Sequence, residues 1–358
     1  MKLNINSKDL LKATGIVGAC VKPKNTMPIL DNLLFLISDR KITIIADNLE
    51  IRSQIEVAVD CDEELKTCIP YKLFSDILKG FPNTSLELTF TEKNLNLKSS
   101  SGDYNIPLVN ADEFPKPKEL TDAETIKLNG VEFAEALKKA VLFSELESIT
   151  NMHNILIQVG NEDVKIASTD GSVIYEYSLD AQGNDSQILI SRDIARYLTQ
   201  TVTREQEIEL NYTDSHLLVK LENRVITAIK SQGKFPPYVR IFESLNPNKS
   251  LKIDKDVMAS AIKRLYGITD QNNYTLVFDL KGDNLELSFN NDLLSYNAKE
   301  TLKCEYDGED ITIGFNASYL MNMVSTLDED IKMEFLQNDK PCLFYAENTR
   351  ALVAPMKL

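Results

Sequence analysis

The chain has 358 residues, enough for two or three domains, with 43% hydrophobic residues, 26% charged residues and a net charge of −15. No apolar run approaches the roughly 20 residues that span a bilayer, and the amphipathic start MKLNINSKDLLK lacks the apolar core of a signal peptide. Membrane and exported classes are thereby excluded and the cytoplasm is expected. In chain order, Met1-Lys2-Leu3-Asn4 leads into residues 8–20, whose apolar spacing at i, i+3 and i+4 predicts a helix. Strands are predicted over 33–37 and 42–46, closing on the turn Asp47-Asn48, then a short helix over 72–80 and an alternating strand over 86–90.

The same series returns twice. Ile126-Lys127-Leu128-Asn129 opens a helix over 131–143, strands over 155–159 and 164–167, the turn Asp170-Gly171, a helix over 192–201 and a strand over 208–212. Leu251-Lys252-Ile253-Asp254 opens a helix over 256–268, strands over 276–280 and 285–289, the turn Asn290-Asn291, a helix over 317–326 and a strand over 331–335. The lysines at 2, 127 and 252 are 125 residues apart, and the late strands beginning at 86, 208 and 331 are 122 and 123 apart. Solenoid units run about 20–50 residues, so this period means tandem domains. Three copies are expected, at 1–121, 122–247 and 248–358, with breaks near Phe114-Pro115-Lys116-Pro117-Lys118 and Asn246-Pro247-Asn248. The fold class is α+β, each copy packing two helices on antiparallel sheets.

Chemistry-bearing constellations are sparse. There is no Gly-rich phosphate loop and no G-x-S-x-G elbow. The five cysteines, Cys20, Cys61, Cys68, Cys304 and Cys342, form no CxxC pair and read as free thiols. His153 and His216 are too few for a zinc site and read as surface or turn residues; no metal and no cofactor are expected. Asp328-Glu329-Asp330 reads as an acidic turn. A hydrolase using either histidine and a repeat-built scaffold are the competing classes.

Three β-rich, two-helix copies resemble the bacterial sliding clamp family, the beta subunit of DNA polymerase III. Local motifs carry the likeness: Lys24-Asn25-Thr26-Met27-Pro28-Ile29-Leu30 with Asn32-Leu33-Leu34, Ala46-Asp47-Asn48-Leu49-Glu50, and Asp112-Glu113-Phe114-Pro115. Thr169-Asp170-Gly171, Phe235-Pro236-Pro237-Tyr238 and the ending Ala354-Pro355-Met356-Lys357-Leu358 complete it. The stretch 144–152 is shorter than the family's DNA-facing loop, and Ser172-Val173 replaces more polar residues.

The resemblance implies a non-catalytic ring around duplex DNA, a head-to-tail homodimer that tethers the replicative polymerase. Helices would line the hole, so Lys12, Lys24, Lys72, Lys138, Lys139, Arg192, Arg196 and Lys263 become candidate phosphate contacts, independent of sequence. Without the resemblance they read as solvated helix faces. The last helix, 316–323, carries no basic residue, so the lining should be uneven. The resemblance also implies a peptide pocket walled by Met152, Thr169, Gly171, Ile174, Pro236, Arg240, Ile241, Pro341, Leu352, Val353, Ala354, Pro355 and Met356. Through it the clamp loader and repair and translesion factors would dock. Tyr104, Ile106, Leu265, Tyr266 and Ile268 are expected at the subunit boundary.

Overall fold

The computed structural model describes residues 1–25, 27–100, 102–118, 120–146, 150–202, 207–269, 274–291, 295–327 and 329–358. Asp328 and residues 147–149 of the stretch 144–152 lie outside them. One order of elements, β-α-β-β-β-β-α-β-β-β, occurs three times. The first copy runs β1 (Lys2–Asn6), α1 (Ser7–Gly18), β2 (Asn32–Ser38), β3 (Lys41–Asp47), β4 (Ile51–Ala58), β5 (Leu65–Pro70), α2 (Tyr71–Lys79), β6 (Ser85–Phe90), β7 (Asn94–Lys98) and β8 (Asp103–Pro107). The second runs β9 (Glu124–Asn129), α3 (Gly130–Val141), β10 (Asn154–Val159), β11 (Val164–Thr169), β12 (Val173–Leu179), β13 (Ser186–Ser191), α4 (Arg192–Thr201), β14 (Glu207–Tyr212), β15 (His216–Lys220) and β16 (Arg224–Ile229). A helix, α5 (Tyr238–Ser244), follows it. The third runs β17 (Lys249–Ile253), α6 (Lys255–Tyr266), β18 (Thr275–Lys281), β19 (Asn284–Asn291), β20 (Tyr296–Lys303), β21 (Glu305–Asp307), β22 (Ile311–Asn316), α7 (Ala317–Thr326), β23 (Ile331–Phe335), β24 (Cys342–Ala346) and β25 (Thr349–Val353). Here β21 is the added element.

The expected helices and strands are all present, with ends displaced by at most two residues. The overshoot at α1, α3 and α6 has one cause. Cys20, Phe143 and Ile268 each donate a backbone N–H three residues back, to Val17, Ala140 and Leu265. The chain tightens there and tucks an apolar residue under the helix end without continuing it. Asn290-Asn291 is not a turn, because β19 extends through both.

The chain forms two compact units, Met1–Val131 with Tyr197–Lys230, and Glu132–Arg196 with Ser231–Leu358. Unit 1 holds an eight-stranded sheet, β5-β2-β3-β4-β16-β15-β14-β9, and a four-stranded one, β1-β6-β7-β8. Unit 2 holds a nine-stranded sheet, β13-β10-β11-β12-β25-β24-β23-β17-β21, and a four-stranded one, β20-β19-β18-β22. All paired strands are antiparallel, and the large sheets form because the last strand of one copy joins the preceding copy. Thus β16 pairs with β4, Ala228 opposite Ile51, and β25 pairs with β12, Val353 opposite Val173.

Alternation along the strands directs one face inward. In unit 1, Leu3 and Ile5, Leu86 and Leu88, and Leu95 and Leu97 are buried, as are Leu10, Ala13 and Val17 of α1 and Phe74 and Leu78 of α2. Each such Leu, Ile, Val or Phe side chain contributes about 1.5–3 kcal/mol. The α1–α2 approach is so close that a Cβ on Gly18 would lie 2.1 Å from the Tyr71 ring. His153 ends a one-turn segment over Asn151–His153, as a turn residue, but not on the surface: it is 9% exposed and its Nδ1 lies 3.1 Å from the Glu145 carbonyl.

Candidate functional site

Basic residues outnumber acidic ones on four of the seven helices, among the described residues. α1, α2 and α4 each carry two cations to one anion, α6 three to one, α3 two of each, and α7 none of either. The whole chain instead has 39 Lys and Arg against 54 Asp and Glu. Lys12, Lys24, Lys72, Lys138, Arg196 and Lys263 are exposed. Lys139 is partly covered, its Nζ 5.3 Å above the Tyr177 ring. Arg192 departs from the expectation of a phosphate contact. Its Nη1 donates to the Ser144 carbonyl at 2.8 Å, the Ser144 hydroxyl at 2.6 Å and the Val141 carbonyl at 2.5 Å. It closes the C-terminal end of α3, and burial, then Arg196, pushes its pKa down.

The candidate boundary residues divide in the same way. β8 is an edge strand, as expected. Tyr104 and Tyr266 are each 40% exposed, but Ile106 and Leu265 are 0% and 1% exposed. Ile106 faces inward from β8, and Leu265 shares the buried side of α6 with Met258, Ala261 and Ile262. Both are core residues of their own copies. Ile268 is half-buried.

Of the expected pocket residues, Met152, Thr169, Gly171, Ile174, Leu352, Val353 and Ala354 lie about one turn of unit 2. Thr169 Oγ1 accepts the Gly171 N–H at 3.1 Å and donates to the Val173 carbonyl at 2.6 Å. Asp170 Oδ1 accepts the N–H groups of Ser172 and Val173 at 2.9 and 3.0 Å, so the turn is locked from both sides. Gly171 has φ +90°, which an L side chain resists. Beside the turn, Ile174 pairs with Leu352, and the Ala354 N–H donates to the Ser172 carbonyl at 2.8 Å. Met356 then donates to the Gly314 carbonyl at 2.7 Å, which ties the chain end to β22.

Burial separates walls from floor. Thr169, Ile174, Leu352 and Val353 are between 0% and 6% exposed, so the sequence expectation that they wall a pocket is corrected: they lie beneath it. Ile174 and Leu352 cluster with Leu156, Leu189, Phe235, Tyr238 and Phe242. Accessible surface comes from Met152, Gly171, Pro236, Arg240, Ile241, Pro341, Ala354, Pro355 and Met356. Ile241, 40% exposed, sits on α5, which the sequence reading missed. The spacing of Tyr238 and Phe242 was its signal, and seven residues are too few for a periodic pattern to stand out.

Two further groups anchor this region. Arg350 and Glu176 form a two-pronged ion pair between β25 and β12. Burial, reinforced by Asp170, pushes the Tyr319 phenol on α7 up to about 12. For the hydrolase alternative, Ser215 Oγ lies 2.8 Å from His216 Nδ1, but His216 Nε2 is buried with no hydrogen-bond partner. No carboxylate therefore orients that pair in the manner of a nucleophile site.

Residues 1–118 match the family description "DNA polymerase III beta subunit, N-terminal domain", and residues 245–357 match its C-terminal domain. The chain is similar to beta sliding clamps of Pseudomonas putida and Proteus mirabilis, 22% and 24% identical, with all of both chains covered. Its fold matches a crystal structure of the Pseudomonas aeruginosa sliding clamp bound to griselimycin, with TM-score 0.95 and 21% identity over the whole of both chains. The chain belongs to the DNA polymerase III beta subunit family, the bacterial sliding clamps.

Proposed function

We propose that this protein is a DNA sliding clamp that encircles duplex DNA as a head-to-tail homodimer and tethers the replicative polymerase in the cytoplasm. The carrying observation is a pairing rule. The fourth strand of copy one, β4, pairs with the last strand of copy two, and β12 of copy two pairs with the last strand of copy three. By the same rule β20 of copy three takes the last strand of another chain's copy one, β8. Both β20 and β8 are edge strands here. Such a contact is heterologous, and two chains of three copies (1–121, 122–247, 248–358) close it into a ring. Tyr104 on β8 and Tyr266 on α6 are exposed large hydrophobic side chains near those edges.

The cation-rich helices suit a hole through which phosphates pass without base readout. Lys12, Lys24, Lys72, Lys138, Lys139, Arg196 and Lys263 are the contacts we assign. The clamp performs no covalent chemistry; it raises the local concentration of polymerase on its template. The groove around Gly171, Pro236, Ile241 and Met356 takes short peptides of the polymerase, clamp loader, and repair and translesion factors. The Pseudomonas aeruginosa relative accepts griselimycin, and we read the groove here as equally able to take a ligand. Methionines 152 and 356 make such a wall adaptable.

Sedimentation decides the assembly: a dimer is expected, and a stable monomer at micromolar concentration would favour the scaffold reading. Deleting residues 356–358 should abolish capture of a fluorescent clamp-binding peptide while the dimer persists. Undiminished affinity would leave the C-terminus a structural tail.

A further inference from the structure

Unit 1 contains a second groove at the place equivalent to the one just described. Asn48 Oδ1 accepts the N–H groups of Glu50 and Ile51 at 2.9 and 2.7 Å, as Asp170 does for Ser172 and Val173. Ile51 faces Ala228 of β16, as Val173 faces Val353 of β25. Phe114-Pro115 follows this turn in the chain as Phe235-Pro236 follows the other, and both phenylalanines are buried. A cavity of about 210 Å³ opens there, with space for about one or two side chains.

Its chemistry differs from that of its counterpart. Where unit 2 pairs Ile174 with Leu352, unit 1 pairs Arg52 with Thr227. Arg52 Nη1 donates to Asp47 Oδ2 at 3.0 Å and to the Pro115 carbonyl at 2.9 Å. Its Nε is buried and has no hydrogen-bond partner, and His216 Nε2 in the same wall is in the same condition. Both atoms are closed to solvent and form a polar backing, and the accessible charge of the cavity comes from Lys116 and Lys118, which are exposed. The anions of the lining are already engaged, Asp47 by Arg52 and Glu50 by Lys22 at 2.8 Å. Lys116 and Lys118 complete a cationic lining, and burial with the charge of Lys118 pushes the His216 pKa down. Leu49 and Ile229, 48% and 39% exposed, supply an apolar lip.

We propose that this groove binds a short acidic peptide of a partner protein, seating one carboxylate between Lys116 and Lys118, beside His216, and a neighbouring aliphatic side chain against Leu49 and Ile229. A single carboxylate suits the site better than a nucleic-acid strand, because a cavity of about 210 Å³ has space for one or two side chains and not for a run of nucleotides. The groove is independent of the one in unit 2.

The two histidines of the chain report on the two grooves separately, His216 in this one and His153 next to Met152 in the other. The full-length protein, labelled at histidine, is titrated with acetyl-Gly-Leu-Asp-Leu-Gly-amide and followed by imidazole NMR. A saturable shift of His216 is expected with His153 unmoved. Replacing the peptide's Asp by Asn should weaken binding at least tenfold, by the charge-assisted bond it removes. Lys116→Glu with Lys118→Glu should abolish the shift, with the His153 signal as the control for folding. No shift at millimolar peptide, a shift of His153 alone, or equal binding of the Asn peptide would overturn the proposal.

Discussion

Arg350 and Glu176 face each other across β25 and β12, with Nε 2.5 Å from one carboxylate oxygen and Nη2 3.1 Å from the other. The Arg350 guanidinium also lies 4.4 Å from the Phe242 ring centre, so one side chain joins two copies of the repeat to α5. Glu176 is 3% exposed, and removing its partner leaves a buried charge. Arg350→Met should cost about 3 kcal/mol in denaturant unfolding. The double variant Arg350→Met, Glu176→Met should recover most of that loss. Equal losses in the single and double variants would show that packing, not charge, holds the joint.

Arg192 and Lys72 should separate structure from DNA contact. Arg192→Ala removes a donor from the Ser144 and Val141 carbonyls, of which Val141 keeps the Ser144 hydroxyl, and should lower stability by about 1–3 kcal/mol. The salt dependence of DNA binding should hardly change. Lys72→Glu should leave the melting temperature alone and weaken binding to every duplex sequence alike, with a shallower slope against log salt. A sequence-selective effect would contradict the sliding mode.

Alkaline pH should loosen the protein through its phenols. Tyr319 and Tyr306 are pushed up to about 12, in each case chiefly by burial, from an ordinary value near 10. The stability they contribute is complete below about pH 10 and is lost as pH rises toward 12, because the unfolded chain ionises first. Denaturant midpoints should fall across that window, and Tyr319→Phe should make the fall shallower. An unchanged slope would remove Tyr319 from the account.

Thiol reactivity should be graded. Burial pushes Cys20 and Cys68 up to about 12 and Cys342 well above the usual thiol value, whereas Cys304 is only half-buried. A thiol reagent at pH 8 should modify Cys304 first, and the other four only on unfolding. Rapid native modification of Cys20 would mean that the α1 end opens readily.

Elements with their own periodicity were legible in the sequence: α4, α7 and β23 have the expected bounds. The triplication was legible although the first tetrad was matched two residues early: α1, α3 and α6 begin after Asn6, Asn129 and Asp254, and Asn4, not Lys2, shares the register of Lys127 and Lys252. Partnerships across the chain were not. Nothing local in Arg224–Ile229 says that β16 adds to β4, because an alternating strand carries no address. Ile106 looked like a boundary residue because it is apolar on an edge strand, yet burial depends on which face the helices cover. Arg192 looked like any helix cation, since its acceptors lie about 50 residues upstream. In the groove, Met152, Pro236 and Ile241 were readable from the resemblance, but only packing shows Val353 to lie beneath them.

The sharing of strands between copies has a consequence for dissection. The middle copy is divided, with β9 and β14 to β16 in one unit and β10 to β13 in the other. The segment that is duplicated in sequence is therefore not the segment that folds. A fragment ending at residue 121 would leave β4 uncovered and prone to self-association. A fragment ending at 230 would keep the eight-stranded sheet intact but strand β10 to β13 without β25. No single cut yields a clean module, and insertions belong in surface turns instead.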